Sequence, residues 1–326
     1  MTFRGPLFVV GLPRSGTKLL RDMLNRHPHI RIPSVETEFL PWMARQIGPA
    51  ADLSYFPNFQ RFYSQIVRFP YFTYKAAEGR VPSVNRWYSA CQRYDAAGLF
   101  EALVRLDLEH SSIDHVVWGD KSPSYVAHIP LIASLYPAAR FIHIIRDVRD
   151  YCLSIHQAWH KDMLRAAQRW IDSIEATQEA GRSLSSAYME IRYEDLLLDA
   201  EMQLRRACQF VEVEFDTAML SLERPSENIG DAKGVVGILS SNVRKYVERM
   251  SPDMLSNIEA VTGEALLACG YPLSYPLRPR RRLSNIELLS AQLRDGCNLV
   301  LSARKEWGFV GATLFYWRYF RATRAI

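Results

Sequence analysis

The chain has 326 residues, of which 48% are hydrophobic and 23% charged, a balance that fits a globular α/β chain and excludes a disordered or low-complexity one. No apolar run approaches the roughly 18 residues of a membrane span. The net charge of +5 is uneven: residues 277–326 hold ten Lys/Arg and three Asp/Glu, or +7, which leaves −2 for the rest.

A slightly acidic body with no recognised nucleic-acid module argues against nucleic acid as a partner. The five cysteines, Cys91, Cys152, Cys208, Cys269 and Cys297, are widely spaced and never paired as CxxC. That spacing speaks against a disulfide framework or zinc site and for a reducing, cytoplasmic compartment.

In chain order, "LFVVG" (7–11) reads as a buried parallel strand ended by glycine. It is not a signal peptide. "TKLLRDMLNRH" places Leu19, Leu20, Met23 and Leu24 at helical spacing, stopped at His27-Pro28. Residues 36–112 are rich in aromatics and read as a helical insertion. Its aromatics over 55–99 are either core or a stacking surface for an acceptor. "HVVWGD" (115–120) reads as a second strand and "PSYVAHIPLIASLYP" (123–137) as one helix. "RFIHIIRD" (140–147) is a strand leading into the helix "VRDYCLSIHQAW". A long amphipathic helix covers 162–180, and "AYMEIRYEDLL" (187–197) is a fourth strand turning into a helix. Residues 252–269 form another helix. A Pro/Arg-rich break over 270–282 precedes 44 residues that read as helical and outside the α/β core. The alternation predicts a doubly wound, mostly parallel sheet, with ligands at the carboxyl ends of its strands.

The loop "GLPRSGTK" (11–18) follows the first strand and opens a helix. Exposed backbone N–H groups at such a turn form an anion site. Arg14 adds a forked cation, Ser15 and Thr17 add hydroxyls, and Gly16 admits a ligand to the backbone. A Walker A loop places Lys directly after its second glycine. Here Thr17 and Lys18 reverse that order. Asp120, after "VVWG", keeps a magnesium-dependent nucleotide phosphotransferase open as an alternative. A non-catalytic nucleotide-binding adaptor is another. His143 reads as a buried strand residue. His156 and His160 share a helix face without a third ligand, so they read as packing or acceptor-site lining.

"GLPRSGTKLLRDMLNRHP" resembles the 5′-phosphosulfate loop, PRSGTT, of sulfotransferases that use 3′-phosphoadenosine 5′-phosphosulfate (PAPS). The likeness is closest to the tyrosylprotein and bacterial carbohydrate types. It implies that Arg14, Ser15, Gly16, Thr17, Lys18 and Leu19 hold the phosphosulfate with no metal. Lys18 departs from the family's second threonine. "IIRDVRDYCLS" (144–154) resembles the family's 3′-phosphate motif, implying Arg146 and Ser154. "GDKSP" (119–123) resembles the segment supplying a catalytic lysine, here Lys121. "HPHIRIPSVETEFLP" (27–41) resembles the segment carrying the base, implying Glu36 if one extra residue is allowed, with Glu38 as competitor. Tyr193 in "IRYEDLLLD" resembles an adenine-side tyrosine. Lys245 in "VRKYVERM" resembles a further cofactor cation.

The resemblance covers roughly residues 5–272. It implies a sulfotransferase α/β domain over 1–272 and a basic, aromatic-rich helical extension over 273–326. It further implies a P-loop-like fold and in-line sulfuryl transfer from PAPS to an acceptor hydroxyl of a glycan, glycolipid, tyrosine or metabolite. Glu36 would act as base, with Arg14, Lys18 and Lys121 offsetting developing charge. The extension, with Trp307, Phe315, Trp317 and Phe320 among basic residues, suits either contact with a membrane surface or dimerisation through 283–326.

Overall fold

The computed structural model describes residues 3–48, 52–108 and 116–301. Five strands form one parallel sheet. They are β1 (Leu7–Val10), β2 (Ile30–Arg31), β3 (Val117–Asp120), β4 (Arg140–Ile145) and β5 (Tyr188–Arg192), in the order β2-β3-β1-β4-β5. The expected α/β architecture is therefore present, with one strand more than expected. β2 pairs with β3 through only two residues, too short to leave a periodic signal.

The pleat of β1 sorts its side chains onto two faces. Phe8 and Val10 join one core cluster, while Leu7 and Val9 join another. β4 divides in the same way, with Phe141 and Ile145 on the first face and Ile142 and Ile144 on the second. The second face is covered by α1 (Thr17–Leu24), α10 (Tyr193–Leu198) and α11 (Ala200–Phe210). The first face is covered by α7 (Ile129–Leu135), α8 (Val148–Trp159), α9 (Met163–Leu184) and α13 (Pro252–Ala268). α12 (Tyr246–Arg249) is a single turn beside α8.

The insertion between β2 and β3 consists of α2 (Leu40–Gln46), α3 (Phe56–Ile66), α4 (Pro70–Ala77), α5 (Val84–Ala90) and α6 (Ala96–Asp107). Its aromatics are mostly core. Phe59, Phe62, Phe72 and Trp87 are buried, with the Phe59 and Trp87 rings 5.5 Å apart edge to face. Tyr55 and Tyr74 are the exposed exceptions.

The segment 123–137 is not one helix. A 3-10 turn, Pro123–Ala127, is followed by α7, which restarts at Ile129 with Pro130 in its first turn. Proline lacks the N–H that a continuous helix would need there, and is tolerated only in a first turn.

The C-terminal segment is helical over 285–301, here α14, but it is not separate from the core. Leu283 and Ala291 are buried, and Leu288 packs against the first core cluster. Asp295 accepts the Asp162 N–H at 2.7 Å and pairs with Arg165. Residues 302–326, most of the extension singled out in the sequence, lie outside the described residues. Among the described residues no helix is long and apolar enough to cross a membrane.

Candidate active site

The loop after β1 supplies an anion cradle. The Ser15 N–H closes a turn onto the Leu12 carbonyl at 3.1 Å, and the Leu20 N–H is the first to reach back along α1, to the Gly16 carbonyl. The N–H groups of Thr17, Lys18 and Leu19 thus fall in the first turn of α1, where a helix has no partners of its own. Gly16, the residue before α1, adds no side-chain cap. Gly16 has φ +94°, and a Cβ there would stand 2.3 Å from Cδ2 of Tyr193. Only glycine fits the turn, for both backbone and packing reasons. Ser15, Thr17 and Leu19 are buried, and Lys18 is half-buried at the helix start.

Arg14, at φ +74°, is turned toward the α8 side. Its Nε donates to Ser154 Oγ at 3.2 Å, Nη1 pairs with Glu227 at 2.7 Å, and Nη2 donates to the Ile229 carbonyl at 2.8 Å. The sequence placed it both in the phosphosulfate cradle and, with Lys18 and Lys121, as a charge stabiliser; in the structure its side chain is bonded to Ser154 and to the loop 223–245.

Arg146 leaves the end of β4 and joins the same cluster. Its Nη1 donates to the Arg14 carbonyl at 3.0 Å and its Nη2 to the Asn242 carbonyl at 3.3 Å. Its guanidinium lies 4.6 Å from the centre of the Tyr193 ring, and its buried Nε has no partner. Asn242 Nδ2 donates to Tyr193 Oη at 2.8 Å. Lys245 pairs with Asp231 at 2.8 Å, and Arg249 and Gln157 contact the same carboxylate. These contacts hold the Asp231 carboxyl far below the usual range, the Lys245 hydrogen bond being the largest cause. Burial lowers the affinity of Lys245 for its proton, and Asp231 opposes that.

Arg14, Ser154, Arg146, Tyr193 and Lys245 thus gather at the carboxyl ends of β1 and β4 under the loop 223–245. The sequence did not single out Glu227, Asp231 or Asn242 of that loop. They sit in an irregular stretch with no periodicity to register, so no signal marked them.

The rest of the RDVRD motif is structural rather than a solvated charge cluster. Asp147 caps α8 through the Arg149 N–H, and its two oxygens accept from Nε and Nη2 of Arg149. Arg149, 1% exposed, also pairs with Glu259 at 2.8 Å. Asp150 accepts the Tyr246 N–H. This scaffold fixes where Arg146 and Ser154 emerge. Nearby, Glu194 receives hydrogen bonds from the Asp147 N–H and Tyr271, and burial pushes its carboxyl up to about 7.

A second cluster forms where the 33–39 segment meets the end of β3. Lys121, buried, donates to Glu36, which is 32% exposed. Burial lowers the proton affinity of Lys121, and the Glu36 carboxylate opposes that. Glu38, at φ +57°, is set apart: its N–H donates to Ser122 Oγ, and burial, then the Glu36 charge, raise its carboxyl. Of the two candidate bases, Glu36 is therefore the one in contact with the lysine.

Beneath the pair, Asp120 is fully buried, and neither carboxylate oxygen has a hydrogen-bond partner. Burial pushes it up to about 7, with the nearby Ser122 and Thr37 hydroxyls opposing this. Ser122 Oγ already accepts the N–H groups of Thr37 and Glu38, and Tyr125 Oη lies 2.7 Å from Thr37 Oγ1. A cavity of about 680 Å³ is lined by Leu12, Ser124, Tyr151, Ile155, Arg165 and Leu288 among others. His143 Nδ1 meets Tyr188 Oη at 2.7 Å within the core, and His156 Nδ1 meets the Lys161 carbonyl at 3.0 Å.

Against known proteins, a sequence model of the Sulfotransferase family matches residues 6–217, well over half of the 326-residue chain. The chain belongs to the sulfotransferase family. This sulfotransferase is 28% identical to an uncharacterized protein of Aquifex aeolicus over 74% of its own length and 30% of that protein's. It is 22% identical to protein-tyrosine sulfotransferase 1 of Danio rerio, over 70% of its own length and 58% of that relative's. It therefore spans only part of these relatives. The sulfotransferase domain of the Synechococcus PCC 7002 olefin synthase shares its fold, with a TM-score of 0.54, 24% identity, and coverage of 84% of this chain and 97% of that domain. The family match ends before the loop 223–245, so Glu227, Asp231, Asn242 and Lys245 lie beyond it.

Proposed function

We propose that the enzyme transfers the sulfuryl group of PAPS to an acceptor hydroxyl. The observation that carries this reading is the meeting of two distant phosphate motifs. Arg14 and Arg146, 132 residues apart, touch each other, and Arg14 touches Ser154. A donor with phosphate at both ends suits that double cradle. The residues present fit it: orphan N–H groups at the start of α1, an unpartnered Arg146 Nε, and a Tyr193 ring beside the guanidinium.

In this reading Ser15, Gly16, Thr17, Lys18 and Leu19 hold the phosphosulfate, and Arg146, Ser154, Lys245 and Arg14 hold the 3′ side. Glu36 takes the acceptor proton while the acceptor oxygen bonds to sulfur. The bond from sulfur to the bridging oxygen breaks and 3′-phosphoadenosine 5′-phosphate (PAP) leaves. Lys121 offsets charge on the leaving oxygen. Positioning and charge stabilisation supply the rate, as in phosphoryl transfer. The cavity bounded by Leu12 and Ser124 is assigned to the acceptor. We assign residues 1–272 to the catalytic domain and the remainder to its extension, with no metal required and a cytoplasmic site of action.

Calorimetric titration with PAP in EDTA, against ATP with and without magnesium, tests the reading. Metal-independent PAP binding is expected. Magnesium-dependent ATP binding with no response to PAP would overturn it in favour of a phosphotransferase.

A further inference from the structure

Residues 36–39, which carry Glu36, form neither helix nor strand, and Glu38 holds a left-handed backbone at φ +57°. Such a segment has no ladder to fix it, so its buried N–H groups need other partners. They find them on the segment that carries Lys121. Ser122 Oγ accepts the Thr37 N–H at 3.0 Å and the Glu38 N–H at 3.2 Å, and Tyr125 Oη accepts the Leu40 N–H at 3.0 Å. Thr37 Oγ1 lies 2.7 Å from Tyr125 Oη and 3.3 Å from Ser122 Oγ. Thr37, Ser122 and Tyr125 are all buried.

The network has a direction. A hydroxyl carries one hydrogen and two lone pairs. Both lone pairs of Ser122 Oγ are taken by N–H groups, so it accepts nothing from Thr37. Tyr125 Oη takes the Leu40 N–H, and Thr37 Oγ1 is the acceptor within reach of its own hydrogen. The Thr37 hydrogen is then left over, and the Ser122 hydrogen has only the long contact to Thr37 Oγ1. Asp120 is the complement to both. It is fully buried, and its two oxygens stand outside hydrogen-bonding geometry. The Ser122 and Thr37 hydroxyls are close enough to oppose the burial that raises its proton affinity. Spare donors beside an unfilled acceptor belong to one buried network.

We propose that Ser122, Thr37 and Tyr125, closed by Asp120, are positioning residues that hold Glu36 against Lys121. The bracket acts through the backbone. It pins residues 37, 38 and 40 to the segment 120–125, so Glu36 and its partner Lys121 are carried by two stretches bolted to each other. A base must lie within hydrogen-bond reach of the proton it takes, and a small displacement costs rate. The inference rests on the sulfuryl-transfer reading for what Glu36 does, not for what holds it in place.

The test has two arms, both on the full chain. In the first, hydrogen exchange read by mass spectrometry compares wild type with Ser122→Ala. Peptides spanning residues 36–40 should exchange about tenfold faster in the variant, while those from β1 and β4 keep their wild-type rates. In the second, Thr37→Val keeps the shape and removes the hydroxyl. Its kcat for PAP release from PAPS, with p-nitrophenol as probe acceptor, should fall about tenfold, with PAP affinity within about twofold of wild type. Thr37→Ser, which restores the hydroxyl, should return kcat to within about twofold. Unchanged exchange in Ser122→Ala overturns the proposal. So does Thr37→Val turning over as wild type does, or Thr37→Ser as slow as Thr37→Val. If Thr37→Val does not fold, Asp120→Asn must show the same loss of kcat without loss of PAP affinity, and failure to do so is equally decisive. The exchange arm needs neither donor nor turnover. A wild type that fails to bind PAP therefore sinks the sulfuryl-transfer reading, and unchanged exchange sinks the bracket.

Discussion

The two halves of the site are built on opposite electrostatic principles. Around Arg14 and Arg146 the chain brings cations together, leaves the Arg146 Nε unpartnered and sets the other contacts on a serine hydroxyl, backbone carbonyls and the Glu227 carboxylate, groups that a ligand can replace. Around Glu36 and Lys121 it brings carboxylates together beneath one buried lysine and leaves the two Asp120 oxygens outside hydrogen-bonding geometry. A cation-rich cradle binds anions at little cost. A buried acid cluster shifts proton affinities, which is what proton transfer needs. On the proposed reading the first half serves affinity and the second rate, so variants in each should move different observables.

The largest expected effect is on rate. Glu36→Gln and Lys121→Ala should each lower turnover by about 10²- to 10⁴-fold, leaving PAP affinity within about twofold. Turnover is read as release of PAP with any acceptor that supports it. A loss of PAP affinity equal to the loss of rate would erase the division between the halves. The mirror experiment is Arg146→Ala. Its guanidinium is buried and makes charge-assisted contacts, so PAP affinity should fall about 100-fold. Turnover at saturating donor should change far less. If turnover collapses at saturating donor as well, the cradle also shapes the reacting end.

Asp120 sharpens the contrast through stability. Its folded pKa, about 7, lies above the ordinary carboxylate value near 4, so between those values the folded state binds more protons than the unfolded one. Stability from this group is therefore full at low pH and lost as pH rises through 7. The stability of wild type relative to Asp120→Asn should fall by about 2 kcal/mol from pH 5 to pH 7, measured by chemical denaturation. Glu194, raised in the same way, is common to both proteins and cancels in the difference. A flat difference would mean that Asp120 keeps one protonation state across that range.

These contrasts also show what a sequence can disclose. The cradle was legible where the chemistry demands unusual residues in a row: glycine, arginine, serine and glycine after a buried strand, and Arg146 with Ser154 two helical turns on. The sheet was legible because β1 and β4 carry continuous apolar runs. β2 was not, because two residues carry no period. Nor was the direction of Arg14, which depends on a left-handed backbone and not on side-chain type. The missing partner of Asp120 is a property of packing around the end of β3, invisible in "VVWGD". α14 was legible as a helix, but its attachment rests on Asp295 meeting Asp162 and Arg165, more than 100 residues away in the chain.

Glu227 gives the smallest effect and the finest test of the cradle. Its carboxylate lies 2.7 Å from Arg14, and both side chains are largely shielded from solvent. A bisphosphate that uses the Arg14 fork must displace this carboxylate or share the cation with it. Like charges brought together in a shielded site oppose binding. Removing the charge while keeping the shape, Glu227→Gln, should therefore raise PAP affinity by a modest factor, about fivefold, since the net worth of such a pair is only about 1 kcal/mol. The gain should shrink at high salt. If affinity falls instead, Glu227 is not a stand-in for the ligand's phosphate but a post that holds Arg14 in place. The cradle would then be preorganised by the loop 223–245 rather than competed for by it.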